Sequence, residues 1–361
     1  MIGRTMGLYL AGRFARTIAL VFLTMFSLIY LIDFVEMLRR VSDVRGASTA
    51  YVAWLTLLRV PTVSEQVLPF AVLFGAMAAF LNLSRKLELV VARAAGLSAW
   101  QFLTPPVLIV AMIGIASVTL YNPLAAVSKQ RADRIETRLF GKTGRDEADT
   151  SLLIRQKSPD GQAIIRAGRS SDSGTVLSGV TAFVFQPDGR FQERVEAARA
   201  TLQPGFWTMQ DARVLRPGAE PEIHETFILA SNLTPEQVIQ SFVAPDTVPF
   251  WNLADILERT ENAGLDATGY RLRYQSLLAR PLLLVAMVLV AASFSLRFFR
   301  FGGIAQMVSG GVIAGFVLYV TTKLVGDLGG AGMLSAAVAA WSPAVAGAML
   351  GTLALLHQED G

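Results

Sequence analysis

Two short clusters in this sequence carry the residue types of a chemical site, and each fails a test of spacing. Gly141-Lys142-Thr143 looks like the end of a phosphate-binding loop. Such a loop needs a second glycine five residues upstream, where Glu136 stands. His224-Glu225 opens HETFI rather than a zinc-binding HExxH, and no second histidine is near. His357, the other of the 2 histidines, is isolated close to the C-terminus. No serine sits in a GxSxG turn. The chain has 0 cysteines, which excludes thiolate metal ligands, disulfides and a cysteine nucleophile. The expectation is a chain with no catalytic residue, no metal site and no cofactor of its own.

The charges beside apolar runs are more informative. In LIDFVEMLRR, Glu36 precedes Arg39 by three residues and Arg40 by four, so either arginine can pair with it on one helix face. Two readings stay open there. One is an interfacial helix end with snorkelling side chains. The other is a site for an anionic headgroup, since arginine's planar fork suits phosphate. Arg59 and Glu65, in LRVPTVSEQVLPF beside Pro61 and Pro69, are assigned to shaping a helix entrance, with ligand contact as the lesser alternative. Lys323 and Asp327 stand four apart and are expected as a structural ion pair or as part of a cavity wall; a proton relay is the alternative.

SRKLELVVARAAGLSAWQ, residues 84–101, lies between two apolar runs. Leu87, Val90, Val91 and Ala94 fall at helical spacing and make an apolar stripe. Arg85, Lys86, Glu88 and Arg93 lie off it, and Gly96 is a natural stop. This short amphipathic helix either rests on the membrane surface or docks on a partner through its acidic residue; both remain open on the residues alone.

The elements that must hold these residues follow from composition. Of 361 residues, 53% are hydrophobic and 17% charged, against about 25% charged in ordinary globular chains. Six runs reach the roughly 20 residues that cross a bilayer, at about 14–38, 55–82, 102–125, 276–297, 304–327 and 334–356. The first is too long for a signal peptide and lacks a small-residue cleavage site, so it is expected to remain as a span. The last two are rich in Gly and Ala, which permits close helix contact in lipid. Arg4, Arg13, Arg16, Arg85, Lys86, Arg93, Arg297 and Arg300 fall on one side of a six-span layout, which is therefore cytoplasmic, with both termini. Arg39, Arg40 and Arg45 oppose that trend. The net charge of +4 does not imply nucleic acid, because no basic run is interleaved with aromatics.

Between the third and fourth runs the chain changes character. Runs such as QAIIRAG, VTAFVFQ and EIHETFIL alternate partially, separated by Pro159-Asp160-Gly161, Pro187-Asp188-Gly189, Pro204-Gly205 and Pro217-Gly218. They predict an all-β domain, a sandwich or jelly roll. The predicted fold class is an α-helical integral membrane protein with six transmembrane helices and an inserted, extracytoplasmic, jelly-roll-like β domain. Its predicted parts are 1–125 for the first three spans with an amphipathic helix at about 84–96, 126–246 for the β domain, 247–275 for a connecting helix, and 276–361 for the last three spans.

With LELVVARAAGLS, FVEMLRR, VPTVSEQVLPFAVL and GLDATGYRLRYQSLLARPLLL in these positions, the sequence resembles the LptF/LptG family of lipopolysaccharide export permeases over nearly its whole length. The resemblance implies one half of a heterodimeric ABC-transporter permease in the inner membrane of a Gram-negative cell. The paralogue LptF would be the other half, with an LptB ATPase dimer binding ATP and Mg in the cytoplasm. LptC would add a transmembrane helix and extend a jelly-roll bridge toward LptA. Membrane lipids and lipopolysaccharide are the remaining partners implied. By resemblance, Glu88 meets an arginine of the ATPase, with Arg85, Leu87 and Arg93 around it. Glu36, Arg39 and Arg40 face the lipid A phosphates, and Lys129, Arg131 and Arg134 are candidates for the same contact. The competing class is a membrane scaffold or sensor with a β domain outside the cytoplasm.

Overall fold

The structure is a computed structural model that describes residues 4–41, 48–88, 98–140, 152–158, 161–171, 175–186, 188–232, 244–262, 266–299 and 304–360, with 91, 94 and 96. Gly141-Lys142-Thr143, Arg45, Val90, Arg93 and Arg300 lie outside the described residues. The chain divides into two units. One comprises Met1–Ala132, Pro249–Trp251 and Arg271–Gly361, and the other Asp133–Val248 and Asn252–Tyr270.

The first unit is helical. Its helices are α1 (Arg4–Val41), α2 (Thr49–Arg85), α3 (Ala99–Ala116), α6 (Thr268–Phe299), α7 (Ile304–Gly330) and α8 (Ala336–Asp360), the first turn of α6 lying in the other unit. A five-residue π-helical turn, Ser117–Tyr121, joins α3 to α4 (Asn122–Phe140), whose part from Asp133 belongs to the other unit, as does most of α5 (Phe250–Asn262). Among the described residues, six stretches are long and apolar enough to cross a membrane: Thr5–Val41, Thr49–Arg85, Trp100–Glu136, Thr268–Leu296, Val308–Gly330 and Ala336–Gln358. The starts are capped as the local sequence directs. Ser48 accepts from the Tyr51 N–H, and Ser98 with Gln101 forms a reciprocal capping box ahead of α3.

Two sequence boundaries move. The expected limit of the third span, at 125, falls inside helix that continues to Phe140. The stretch NPLAAVSKQRADRIETRLF loses hydropathy but keeps strong helix formers, so the helix outlasts the apolar run. The expected connecting helix 247–275 is two pieces: α5 ends at Asn262, and α6 begins at Thr268 and runs straight into the fourth span.

Close approach of helices depends on small residues. A Cβ on Gly75 would lie 2.6 Å from the Ile18 Cα of α1, and one on Gly114 would lie 2.6 Å from the Pro281 Cα of α6. Without a hydrophobic drive between helices in lipid, such contact supplies the van der Waals attraction that holds them. Phe14 meets Phe80 edge to face at 4.8 Å in the same core. The spans differ in how much the chain itself covers them. Within an 18-residue apolar stretch of each span, 67% of the residues are buried in α2 and 61% in α6, but 6% in α1 and 17% in α7.

The β unit is one antiparallel sheet of β1 (Leu152–Ser158), β2 (Gly161–Ser171), β3 (Val176–Phe185), β4 (Phe191–Gln203), β5 (Phe206–Leu215) and β6 (Glu222–Ala230), paired in chain order. The jelly-roll-like expectation resolves into this up-and-down meander, with no Greek-key crossing among the described strands. The alternation of buried and exposed residues slips by one at Ser178-Gly179, Ala198-Arg199 and Gln210-Asp211. Ser178 faces Arg199 and Arg199 faces Gln210, so the slips lie at one level across three neighbouring strands. Gly179 (φ +64°) and Asp211 (φ +53°) take the left-handed backbone that this requires. The sheet is thus creased, as bulges bend single strands.

The creased sheet curls until its first and last strands meet. Gln156 of β1 is wholly buried; its amide donates to the Ala230 carbonyl at 3.0 Å, and its carbonyl accepts from Ser231 at 2.7 Å and Trp207 at 3.1 Å. At the domain surface Arg216 binds Glu193 at 2.9 Å and Glu222 at 3.2 Å. The hydrogen bond to Glu193 is the main reason its guanidinium is held protonated beyond the usual arginine range. Gln156→Ala leaves the Trp207 N–H and Ser231 hydroxyl buried without that partner and is expected to destabilise the β unit by about 2–3 kcal/mol. Limited proteolysis of the detergent-purified chain over a temperature ramp measures this, with exposed Gln203→Ala as a control that stays within about 0.5 kcal/mol of wild type.

Candidate functional site

Among the described residues, the most deeply set ionic group in the helical unit centres on Glu65, 2% exposed. Its carboxylate accepts from Arg273 at 3.0 Å, from Arg280 in a shorter contact, and from the Asn122 amide at 2.9 Å. Asn122 in turn accepts from the Phe250 N–H at 3.0 Å. The π-helical turn sets this up. Its extra residue rotates the helix beyond it, so that Tyr121 donates to the Pro61 carbonyl at 3.1 Å while Asn122 reaches Glu65. Thr62 donates to the Ala125 carbonyl at 3.2 Å on the same seam. A cavity of about 150 Å³, lined by Glu65, Arg280, Ser276, Tyr319 and Thr322 among others, opens beside the cluster.

Reading Glu65 as a helix-shaping residue therefore missed its role: it is the acceptor for two arginines from another span. The available signal was the spacing of Arg273 and Arg280 in YRLRYQSLLARP, seven residues apart and so on one helix face.

At the far end of α1, Glu36 pairs with Arg40 at 3.1 Å, both about half exposed. Arg39 is exposed beside them. Asp33 joins Arg59 of α2 at 3.4 Å, and Arg59 also donates to the Met37 sulfur. Arg59 thus belongs to the charged end of α1 as well as to the entrance of α2. Lys129, Arg131 and Arg134 all stand on α4, where Arg131 and Arg134 share an exposed face and half-buried Lys129 lies off it. On α7, Lys323 and Asp327 pair at 3.2 Å on an exposed face.

The segment after α2 departs from that helix at Leu87, whose φ of +57° is left-handed and breaks the ladder. The turn resumes at once, with the Val91 N–H on the Leu87 carbonyl at 3.0 Å. Leu87 and Val91 are exposed, so the described part of the apolar stripe is uncovered in this chain. Glu88 sits half-buried beside them and accepts from Arg13 of α1 at 2.8 Å. Between α1, α2 and α3 runs an apolar groove of about 570 Å³, lined by Ile18, Phe22, Leu68, Ile113, Leu120 and Leu124 among others.

Among the described residues, six membrane-length helices, three on either side of an inserted antiparallel sheet, with charges gathered at helix ends and in a buried cluster, define a multi-pass membrane protein with an inserted β unit. The chain belongs to the family described as "Lipopolysaccharide export system permease LptF/LptG", whose pattern matches residues 8–357. Among curated proteins it is similar to the lipopolysaccharide export system permease protein LptG of Escherichia coli K12, 25% identical over 331 residues and 89% of each chain. It is likewise similar to LptG of Haemophilus influenzae Rd, 23% identical over 341 residues and 90% of each chain.

Glu65→Ala strands two arginines in the helical unit without their acceptor, and removing one partner of a buried pair costs about 3–5 kcal/mol. The expected result is a clear drop in the temperature at which the detergent-purified protein loses its monodisperse peak on size exclusion. Arg40→Ala, which breaks a half-exposed pair, is expected to change stability by less than about 1 kcal/mol in the same assay.

Proposed function

We propose that this chain is the LptG-like half of an ATP-driven lipopolysaccharide exporter in the bacterial inner membrane. In this reading both termini are cytoplasmic and the β unit is periplasmic. LptF completes the heterodimer, an LptB dimer docks from the cytoplasm with ATP and Mg, and LptC and LptA carry the lipid onward. The chain itself is non-catalytic, and hydrolysis takes place in the partner ATPase.

The observation that carries this reading is the turn after α2. An acidic side chain, Glu88, stands beside two uncovered apolar side chains, Leu87 and Val91, next to Arg85 and Lys86. A basic partner pocket with an apolar rim fits that surface, and basic flanks mark the cytoplasmic side. Both curated relatives carry lipopolysaccharide export in their names, which supports the substrate.

The remaining steps come from the chemistry of lipid A, which joins phosphates to several acyl chains. A cavity for it needs apolar walls and cations at headgroup depth. The apolar side chains of α1 and α7, the spans least covered by this chain, supply wall surface for a cavity shared with the second subunit. Arg39 and Arg40, at the end of α1 remote from Glu88, supply cations, with Lys129, Arg131 and Arg134 as further phosphate contacts. Closure of the ATPase dimer on ATP moves the turn after α2, narrows the cavity and expels the lipid toward the β unit.

Co-expression with LptF and LptB tests this. The wild-type chain is expected to co-purify with the ATPase, and Glu88→Lys to lower ATPase recovery about tenfold or more, as loss of a buried hydrogen-bonded charge pair does at interfaces. A wild-type chain that recruits no ATPase when all partners are folded sinks the transport reading and favours a scaffold.

A further inference from the structure

Glu88 is already held from within its own chain. Arg13 donates to its Oε1 at 2.8 Å, and the Tyr9 hydroxyl lies 3.3 Å from Oε1 and 3.2 Å from Oε2. Arg13 also donates to the Tyr9 hydroxyl in a short contact, its guanidinium 5.7 Å from the Tyr9 ring centre. Tyr9 and Arg13 are one turn apart on α1 and approach the same carboxylate. Arg13 is 14% exposed and Glu88 32%.

The neighbouring face of the same turn is anchored differently. Leu10 and Phe14 are buried in the apolar core with Phe80, Leu83 and Phe102. The start of α1 is thus fixed to the core on one side and to the turn after α2 on the other. α1 is unbroken over its 38 residues, and from Arg13 to Glu36 and Arg40 it spans about 35–40 Å at 1.5 Å per residue.

The pair is only partly covered, so it is a modest staple. Its value is geometric. A carboxylate offers about four acceptor sites, and Arg13 and Tyr9 leave room for a further cation from the exposed side. We propose that Tyr9 and Arg13 are positioning residues that orient Glu88 and join it to the first span. A displacement of Glu88 is then passed to α1, and along it to the charged far end. The inference rests on the reading that Glu88 is the ATPase contact.

The test uses the full complex with LptF, LptB and LptC in lipid vesicles, measuring lipopolysaccharide released to LptA per ATP hydrolysed. Arg13→Ala is expected to lower that ratio about fivefold while the ATPase still co-purifies, a size usual for coupling contacts. Arg13→Lys restores most of the ratio, and Tyr9→Phe, which keeps the ring, lowers it about twofold. Arg13→Ala combined with Glu88→Gln is no worse than the more impaired single variant, as residues acting through one contact require. Thermal midpoints of all variants stay near wild type, which separates positioning from folding. An unchanged ratio in Arg13→Ala overturns the inference and leaves the proposed function standing. Strictly additive losses in the double variant overturn it as well. A wild-type chain that recruits no ATPase overturns both.

Discussion

A carboxylate inside a membrane bundle is tolerated only with its charge answered, and Glu65 is answered twice over, by Arg273 and Arg280. The three residues come from two spans, and Asn122 adds a third. Their geometry depends on the π-helical turn at Ser117–Tyr121, without which Asn122 would face another direction. It depends equally on Gly114, which lets α3 touch the backbone of α6 beside Pro281. One electrostatic knot therefore fixes α2, α4 and α6 against one another, and the two most covered spans are those that carry its charges.

The remaining spans stand in a different relation to that centre. α1 packs on the apolar core through Leu10, Phe14 and Ile18 and shows Leu20, Leu23, Leu28 and Leu31 outward. α7 shows Ile313, Phe316, Val317 and Leu324. A helix with a thin inner contact and a broad outer apolar face suits a wall shared with lipid or with a second subunit. The charged pairs at the two ends of α1, Arg13–Glu88 and Glu36–Arg40, bracket this face.

How much of this was legible in the residues depends on range. The six spans and the turns at Gly189, Gly205 and Gly218 follow from local pattern, and the structure has them. The apolar spacing around Glu88 is likewise a local property, but several residues of that stretch lie outside the described ones. The Glu65 cluster was not legible, since its partners lie 57, 208 and 215 positions away and no periodicity links them. SVTLY carries no compositional mark of a π turn. The partial alternation of the strand runs was itself the trace of the crease: Val195 and Ala197 keep one phase and Ala200 and Leu202 the other. The boundaries at 126 and 276 were misplaced because polar helix and loop look alike to hydropathy, although NPLAAVSKQRADRIETRLF has the helix formers to continue.

The Gln156 staple also sets an order of events for a chain made from its N-terminus. Each strand of the meander pairs with the one just synthesised, so hairpins add one at a time at short loop closure. Gln156 must wait 75 residues for Ser231. Until then the sheet has an open apolar face and two unpaired edges, the state most prone to mispairing. Closure of the β unit therefore falls at the last of the described strands, before the chain reaches α6, the helix that carries Arg273 and Arg280. The β unit and the ionic knot are completed in that sequence, each by a residue that arrives long after its partner.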